Sequence, residues 1–520
     1  MPRLLILQPP DLGGENHGIR VQHVTSLAAL LCGRGWSVAA TDLLDPALAA
    51  RALAADVVLV QMLPDAPVEG LVRARAARGR PTVFEIVDNF LDITSWAKDA
   101  HPLRSPLARQ SLLHHAALCD ALQVYAPGLA DLFASVNPRV VRFDPYVPIP
   151  PRLPEKPDGF VLGWGGTGSH SADLAAVAPT LVAFCSRHPD VTFAFKGDRA
   201  VFAAHFQAIP EEQLALSDFG PHEDYLRFVD GLHVGLAPLR PTPFNATRTD
   251  TRFGTYAARG VAAVLEDGPV YGAHRERARL FRTAAELEAI LEQMHSDRDG
   301  VVALGTRARA WAEATRGADA LAAQRDRAYR SLLPARPAPA EADPGPGPEA
   351  LAERLASATK LGPSEALQAS EELVAERPDY EQARLLVAQS LHRLGRDEEA
   401  ISYVERLAPS PVFSDLFAEL QVSCARRVRP DAADSLRAHI ASPFRRARLD
   451  SNASVLERSR AILEHQPYDH FALWSTIKLL SRDDAGSPEL DGLFERACLV
   501  SPEDVPPERR PARLARFLPA

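Results

Sequence analysis

Short apolar runs alternate along the first 330 residues with stretches whose apolar side chains return every three or four positions. In the first 148 residues the runs are 4–7, 38–40, 57–60, 83–87, 121–124 and 140–143, and 21–31 is one of the helical stretches between them. Runs this short and predominantly apolar predict buried strands. Spaced by helical segments, they predict a parallel sheet with crossover helices. The pattern begins again at Phe160, with a strand into Gly163, a helix over 172–185, and strands at 191–195 and 234–239, the last stopped by Pro238. Between the two halves, residues 142–154 carry five prolines after Phe143, which excludes helix or central strand and reads as a hinge. Residues 306–333 predict one long Ala/Arg-rich helix containing Trp311 and Tyr329, and 349–520 is helical throughout. Six prolines and two glycines at 334–348 predict an extended spacer without a core, so that cleavage there would release two folded pieces.

A chain of 520 residues exceeds one core and implies two to four domains. The net charge of −9 argues against nucleic acid as the main partner. Five dispersed cysteines without a C-x-x-C predict reduced thiols rather than a disulfide frame or a zinc site. The opening M-P-R-L-L-I-L-Q-P-P reads as a first strand, and no stretch approaches the roughly 18 apolar residues of a membrane span. The expected compartment is the cytoplasm, with no metal and no cofactor.

In open parallel sheets, ligands sit beyond the carboxyl ends of the strands. Four loops fall there. The first, 9–20, carries Gly14, His17 and Arg20 and lacks both phosphate-loop glycine spacings, so nucleotide hydrolysis is not indicated. The second, around F-E-I-V-D-N-F-L-D, offers Glu85, Asp88 and Asp92; a carboxylate here serves as general base or as helix cap, and capping is the expectation for Asp92. In the second half, G-W-G-G-T-G-S-H follows a strand, with Gly165 and Gly166 able to approach a ligand closely, Ser169 a candidate N-cap and His170 at the helix start. Lys196 ends the next strand and would neutralise phosphate. The fourth stretch, P-F-N-A-T-R-T-D-T-R-F-G-T-Y-A-A-R-G from Pro243, is a polar loop opening a helix that Gly260 can end. Asn245, Arg248, Thr249 and Arg252 sit in its loop and first turn, where free N–H groups and two arginines suit a phosphate-bearing ligand.

The order L-A-P-L, P-F-N, then R-T-x-x-R-F-x-x-Y-A-A-x-G resembles the donor-binding loop of GT-B glycosyltransferases that use nucleotide-diphosphate sugars. That group usually shows Lys-Ser-x-x-Lys-x-x-Glu-Tyr-Ala-Ala-x-Gly. Arg248 and Arg252 stand where its lysines stand, Thr249 where its serine stands, and Thr255 where its glutamate holds the donor ribose. Thr247 occupies the place of a second family glutamate, and His233 that of an aspartate. The glycine turn at 165–170 resembles the start of the same group's donor domain, and 9–20 its acceptor-side glycine loop. Residues 383–404 resemble a tetratricopeptide repeat, with Ala388, Leu391, Ala400 and Val404 at the packing positions and a turn at Gly395.

These resemblances imply an α/β chain of two Rossmann-like domains, 1–150 and 155–333, a linker at 334–348 and a helical-repeat domain at 349–520. They imply transfer of a sugar from a nucleotide sugar to a glycan, lipid or protein acceptor, independent of metal and with retention of configuration. Donor binding would fall to Gly165, Gly166, Ser169, Lys196, Asn245, Arg248, Thr249, Arg252 and Thr255, acceptor contact to Gly14, His17 and Arg20, and catalysis to Asp88 and His170. The repeats would recruit a protein partner or the acceptor. The alternative class is a catalytically degenerate GT-B scaffold or sugar-nucleotide sensor, a reading that Thr247 and Thr255 favour.

Overall fold

The computed structural model describes residues 1–10, 20–93, 101–335, 342–450, 454–483 and 487–519. Its described residues form two six-stranded, wholly parallel sheets. The first has the order β2-β1-β3-β4-β5-β6, with β1 Arg3–Leu7, β2 Ser37–Thr41, β3 Val57–Gln61, β4 Thr82–Glu85, β5 Ala121–Val124 and β6 Val140–Arg142. The second has the order β12-β11-β10-β7-β8-β9, with β7 Phe160–Gly166, β8 Val191–Gly197, β9 Leu214–Ser217, β10 Val234–Ala237, β11 Ala262–Glu266 and β12 Arg279–Phe281. This is the pair of Rossmann-like units that the alternating pattern implied. Strands β3, β4 and β5 are buried at every position under helices on both faces, their polar residues Gln61, Thr82, Glu85 and Gln123 included.

The helix expected over 306–333 is two helices, Arg298–Arg316 and Ala318–Arg330, separated at Gly317. The break turns the second helix back onto the first sheet. There the Tyr329 hydroxyl donates to Gln123 Oε1 at 2.6 Å, and the Trp36 indole N–H donates to Asp326 at 2.7 Å. In the second unit the helix Thr251–Ala258 closes at Gly260, whose φ of +63° is a left-handed turn open to glycine at little cost.

The helices beyond 348 are not an independent appendage. Glu381–Arg393 and Asp397–Glu405 form the expected pair about Gly395. The stack as a whole, however, lies along the first unit. Val412, Phe413, Phe417, Tyr468, Leu493 and Cys498 share one core with Val68, Leu71, Leu112 and Phe133. A side chain at Gly70 would run into the carbonyl of Val412. Tyr380 donates to the carbonyl of Leu44 at 2.6 Å, and Gln382 to those of Leu43 and Asp45. The carboxylate of Glu69, 1% exposed, accepts from Ser442 at 2.6 Å and Arg445 at 2.7 Å. These contacts join the helices and the first sheet through one shared buried core.

The stack ends where the two sheets meet. Asn89, just after β4, donates to the carbonyl of Phe517 at 2.9 Å, and Asp92 accepts from the backbone N–H of Phe244 at 2.9 Å. Asp92 thus ties the two units together through the Phe244 N–H, while residues 94–100, where a helix capped by Asp92 would begin, lie outside the described residues. Among the described residues no helix is long and apolar enough to cross a membrane.

Candidate active site

A cavity of about 870 Å³ opens at the carboxyl ends of β7, β8 and β10, the edge at which a parallel sheet presents its loops. Its size suits a drug-sized or nucleotide-sized ligand. Gly165, Gly166 and His170 line it from the end of β7, and Lys196 from the end of β8. Arg248, Thr249, Arg252 and Thr255 line it from the loop and helix after β10. Eight residues singled out in the sequence therefore converge on one hollow.

The glycines have a steric reason. A Cβ on Gly166 would stand 2.7 Å from Nη2 of Arg252, and one on Gly165 would stand 3.0 Å from the rings of Tyr225 and Phe228. Without Gly166 the Arg252 guanidinium could not lie against the turn. Arg252 is held over the Trp164 ring at 5.2 Å, and Arg248 over Phe244 at 5.0 Å. Lys196 donates to the carbonyl of Asp218 at 2.8 Å, which leaves the ammonium charge uncancelled by that contact. Three cations thus border the cavity of a chain that is acidic overall.

His170 is buried at the start of the helix Ser171–Arg187, with Nδ1 2.8 Å from Asp173 Oδ2. Burial, and then the charge of Arg252, holds the imidazole well below its ordinary pKa, so it is neutral at pH 7. The Nδ1–H donates to the carboxylate, which leaves Nε2 as the acceptor nitrogen. Asp173 Oδ1 accepts from the Arg240 N–H and the Asn245 amide, both at 3.0 Å.

Two expected donor contacts lie elsewhere. The Asn245 side chain is spent on Asp173 and on the carbonyl of Arg240, so it shapes the loop and does not line the cavity. Ser169 pairs with Thr167 at 2.7 Å; it neither lines the cavity nor caps the helix, whose N-cap residue is His170. Gly14 and His17 fall outside the described residues. Arg20 opens the helical turn Arg20–Thr25, at the foot of the first sheet's helix Ser26–Cys32.

Asp88 follows β4 on the other unit. Burial raises its carboxyl pKa, while Arg248 and then His23 pull the other way, so it stands within the field of the donor loop. His23 was not visible as a candidate in the sequence. Its Nδ1 lies 3.3 Å from Glu85, a fully buried carboxylate that also accepts from Gln61, Gln123 and Tyr125. No local motif links these residues, because they come from three separate strands and a helical turn. Sequence spacing likewise hides His188, Asp190 and His295, which come together beside the start of β8 in a set of ion pairs with Glu292 and Arg298.

No protein-family model and no curated protein matches the chain. Among solved structures, it is similar to HepE from Anabaena in complex with UDP at 13% identity, covering 64% of this chain and 100% of that one, with a TM-score of 0.47. It is similar to TarM at 8% identity, covering 53% and 54%, with a TM-score of 0.42. The glycotransferase of kitacinnamycin matches at 15% identity, covering 64% and 100%, with a TM-score of 0.38. At such scores, what the cavity binds is decided by its own residues.

Proposed function

We propose that this chain is a glycosyltransferase that takes its sugar from a nucleotide-diphosphate donor. The observation that carries this reading is the cavity itself. Lys196, Arg248 and Arg252 surround a glycine turn at the carboxyl edge of a parallel sheet. Departure of a nucleoside diphosphate builds negative charge on phosphate oxygens, and fixed cations in a water-poor hollow stabilise it. Three protein cations match the charge of a diphosphate, so the reading needs neither metal nor cofactor. Neutral His170, with Nε2 as acceptor, suits a hydroxyl of the donor sugar. Asp88, close enough to Arg248 to feel its charge, is our candidate to orient or deprotonate the acceptor hydroxyl. Retention of configuration is what the resemblance implies, and product NMR reads it directly. The acceptor is a glycan, lipid or protein.

A second reading, a sugar-nucleotide sensor without turnover, draws on Thr247 and Thr255 and on the helical stack, whose buried face is occupied by the chain's own first unit. A thermal-shift panel of nucleoside diphosphates and their sugars, followed by donor hydrolysis, separates the readings. A ligand of the native state raises the melting temperature by mass action. Stabilisation with turnover supports the enzyme, stabilisation without turnover the sensor, and no stabilisation by any of them removes both.

A further inference from the structure

His392, Asp397 and Cys424 meet in the helical stack, apart from the residues that line the cavity. The left-handed turn at Gly395, with φ +74°, folds the helix Glu381–Arg393 back on the helix Asp397–Glu405 and sets His392 beside Asp397. Cys424 arrives from a third helix, Ser414–Val428, in the core formed with Leu391, Ala400 and Ile401. The carboxylate and the thiol are buried, and the imidazole, 20% exposed, forms the rim.

Three kinds of ligand atom converge there. His392 Nδ1 lies 2.5 Å from Asp397 Oδ1 and 3.3 Å from Cys424 Sγ, and nitrogen, oxygen and sulfur all lie within 4.8 Å of one another. A relay from nucleophile to base would use both imidazole nitrogens, one for the carboxylate and one for the thiol. Here both groups approach the same nitrogen, which has one proton or one lone pair to offer and satisfies only one of them. A metal ion removes that conflict, because it takes a lone pair from each ligand. Ligands of a tetrahedral zinc ion, at about 2.0–2.3 Å from the metal, stand about 3.3–3.7 Å apart. Sulfur and nitrogen are already at that spacing, and the ion takes the place of the proton in the shorter contact. A thiolate and a carboxylate beside a neutral imidazole carry two negative charges, which balance a divalent ion in a buried site. Arg427, more than half exposed, lies 3.6 Å from the other carboxylate oxygen, Oδ2, and leaves Oδ1 for the ion. Sulfur with nitrogen favours Zn²⁺ over Mg²⁺ or Ca²⁺, which take oxygen ligands.

We propose that His392, Asp397 and Cys424 form a Zn²⁺ site that staples three helices of the stack, with water as the fourth ligand on the exposed side of the imidazole. On binding, the Cys424 S–H bond breaks, a sulfur–zinc bond forms and the proton leaves to the buffer, while the proton of His392 resides on Nε2. The test uses the full-length chain, reduced and freed of metal with a chelator, titrated with Co²⁺ and then Zn²⁺. One equivalent of Co²⁺ should bring up a thiolate-to-cobalt charge-transfer band, and Zn²⁺ should bleach it. Zn²⁺ should raise the melting temperature by mass action, and the same concentration of Mg²⁺ should not. Cys424→Ser should lose the band, and its affinity for Zn²⁺ should fall by at least about tenfold. His392→Gln, at the rim, should show the same loss of affinity and serves where the serine variant does not fold. Cobalt bound without the band, or no metal bound at all, overturns the proposal. So does a band that persists in a folded Cys424→Ser variant, which would assign it to another thiol such as the exposed Cys32. Native affinity for Zn²⁺ in His392→Gln overturns it as well.

Discussion

His170 and Asp173 hold each other across one helical turn, imidazole Nδ1 to carboxylate Oδ2 at 2.8 Å, while the second oxygen of Asp173 ties down Arg240 and Asn245. One buried carboxylate thus orients a cavity-lining imidazole and pins the loop that carries Arg248. Asn in its place offers one acceptor where three donors converge. Asp173→Asn should lower stability by about 2 kcal/mol, the scale of charge-assisted hydrogen bonds lost in a buried site. Affinity for UDP should fall with it, because the donor loop loses its anchor. Urea titration and calorimetry on the same preparation read both; an unchanged unfolding midpoint with unchanged affinity removes this pair from the site.

Arg252 lies against Gly166 and over Trp164, within the cavity. Arg252→Ala should weaken binding of a nucleoside diphosphate by about 2 kcal/mol, the size of one charge-assisted contact to phosphate. The lost stacking on Trp164 should cost about 0.5–1 kcal/mol of stability, so the fold persists. Equal affinity of the variant and the native chain in calorimetry would take Arg252 out of the site.

Arg445 neutralises Glu69 in the interface between the helical stack and the first sheet's helices. The carboxylate is held well below its usual range: burial works against it, and His114 and Arg445 overcome that. Arg445→Ala strands the charge, and the expected loss is about 3–5 kcal/mol. Pairing the change with Glu69→Gln should recover part of it, as in any double-mutant cycle on coupled groups. A proteolytic nick within 334–348 should leave the two pieces bound to each other through gel filtration under native conditions. Separation of a soluble 349–520 fragment would show that the shared core contributes little.

Three buried histidines make stability depend on pH. Burial lowers His115 to about 3 and also pushes His114 and His170 down. His115 and His170, both at about 3, are neutral when folded and take a proton near pH 6.5 when unfolded. The unfolded chain therefore binds more protons below that pH, and stability is lost as pH falls. Between pH 6.5 and 5 the slope should approach about 1.4 kcal/mol per pH unit for each of these two histidines. Chemical denaturation at pH 7.5, 6 and 5 measures it, and a flat profile would mean that these rings are protonated in the folded protein.

The sequence by itself determined the layers. Consecutive apolar residues at 4–7 and 57–60 leave no face for water, so parallel strands under helices follow from the pattern alone. The glycine turn at 165–166 and the basic loop at 248–252 were legible because local chemistry, close backbone approach and positive charge, is written in adjacent residues. Tertiary structure alone decided which of these polar groups face the cavity. Asn245 and Arg248 are three residues apart, yet one serves Asp173 and the other the cavity, a division set by where Asp173 arrives from another helix. His23 and Glu85 meet only because β4 and the first helical turn end at the same edge. The proline-rich spacer reads as a boundary between independent modules, but the helices after it bury their apolar faces on the first sheet's helices. An apolar stripe records in sequence that it must be covered, and the partner that covers it is settled only when the chain is packed in three dimensions.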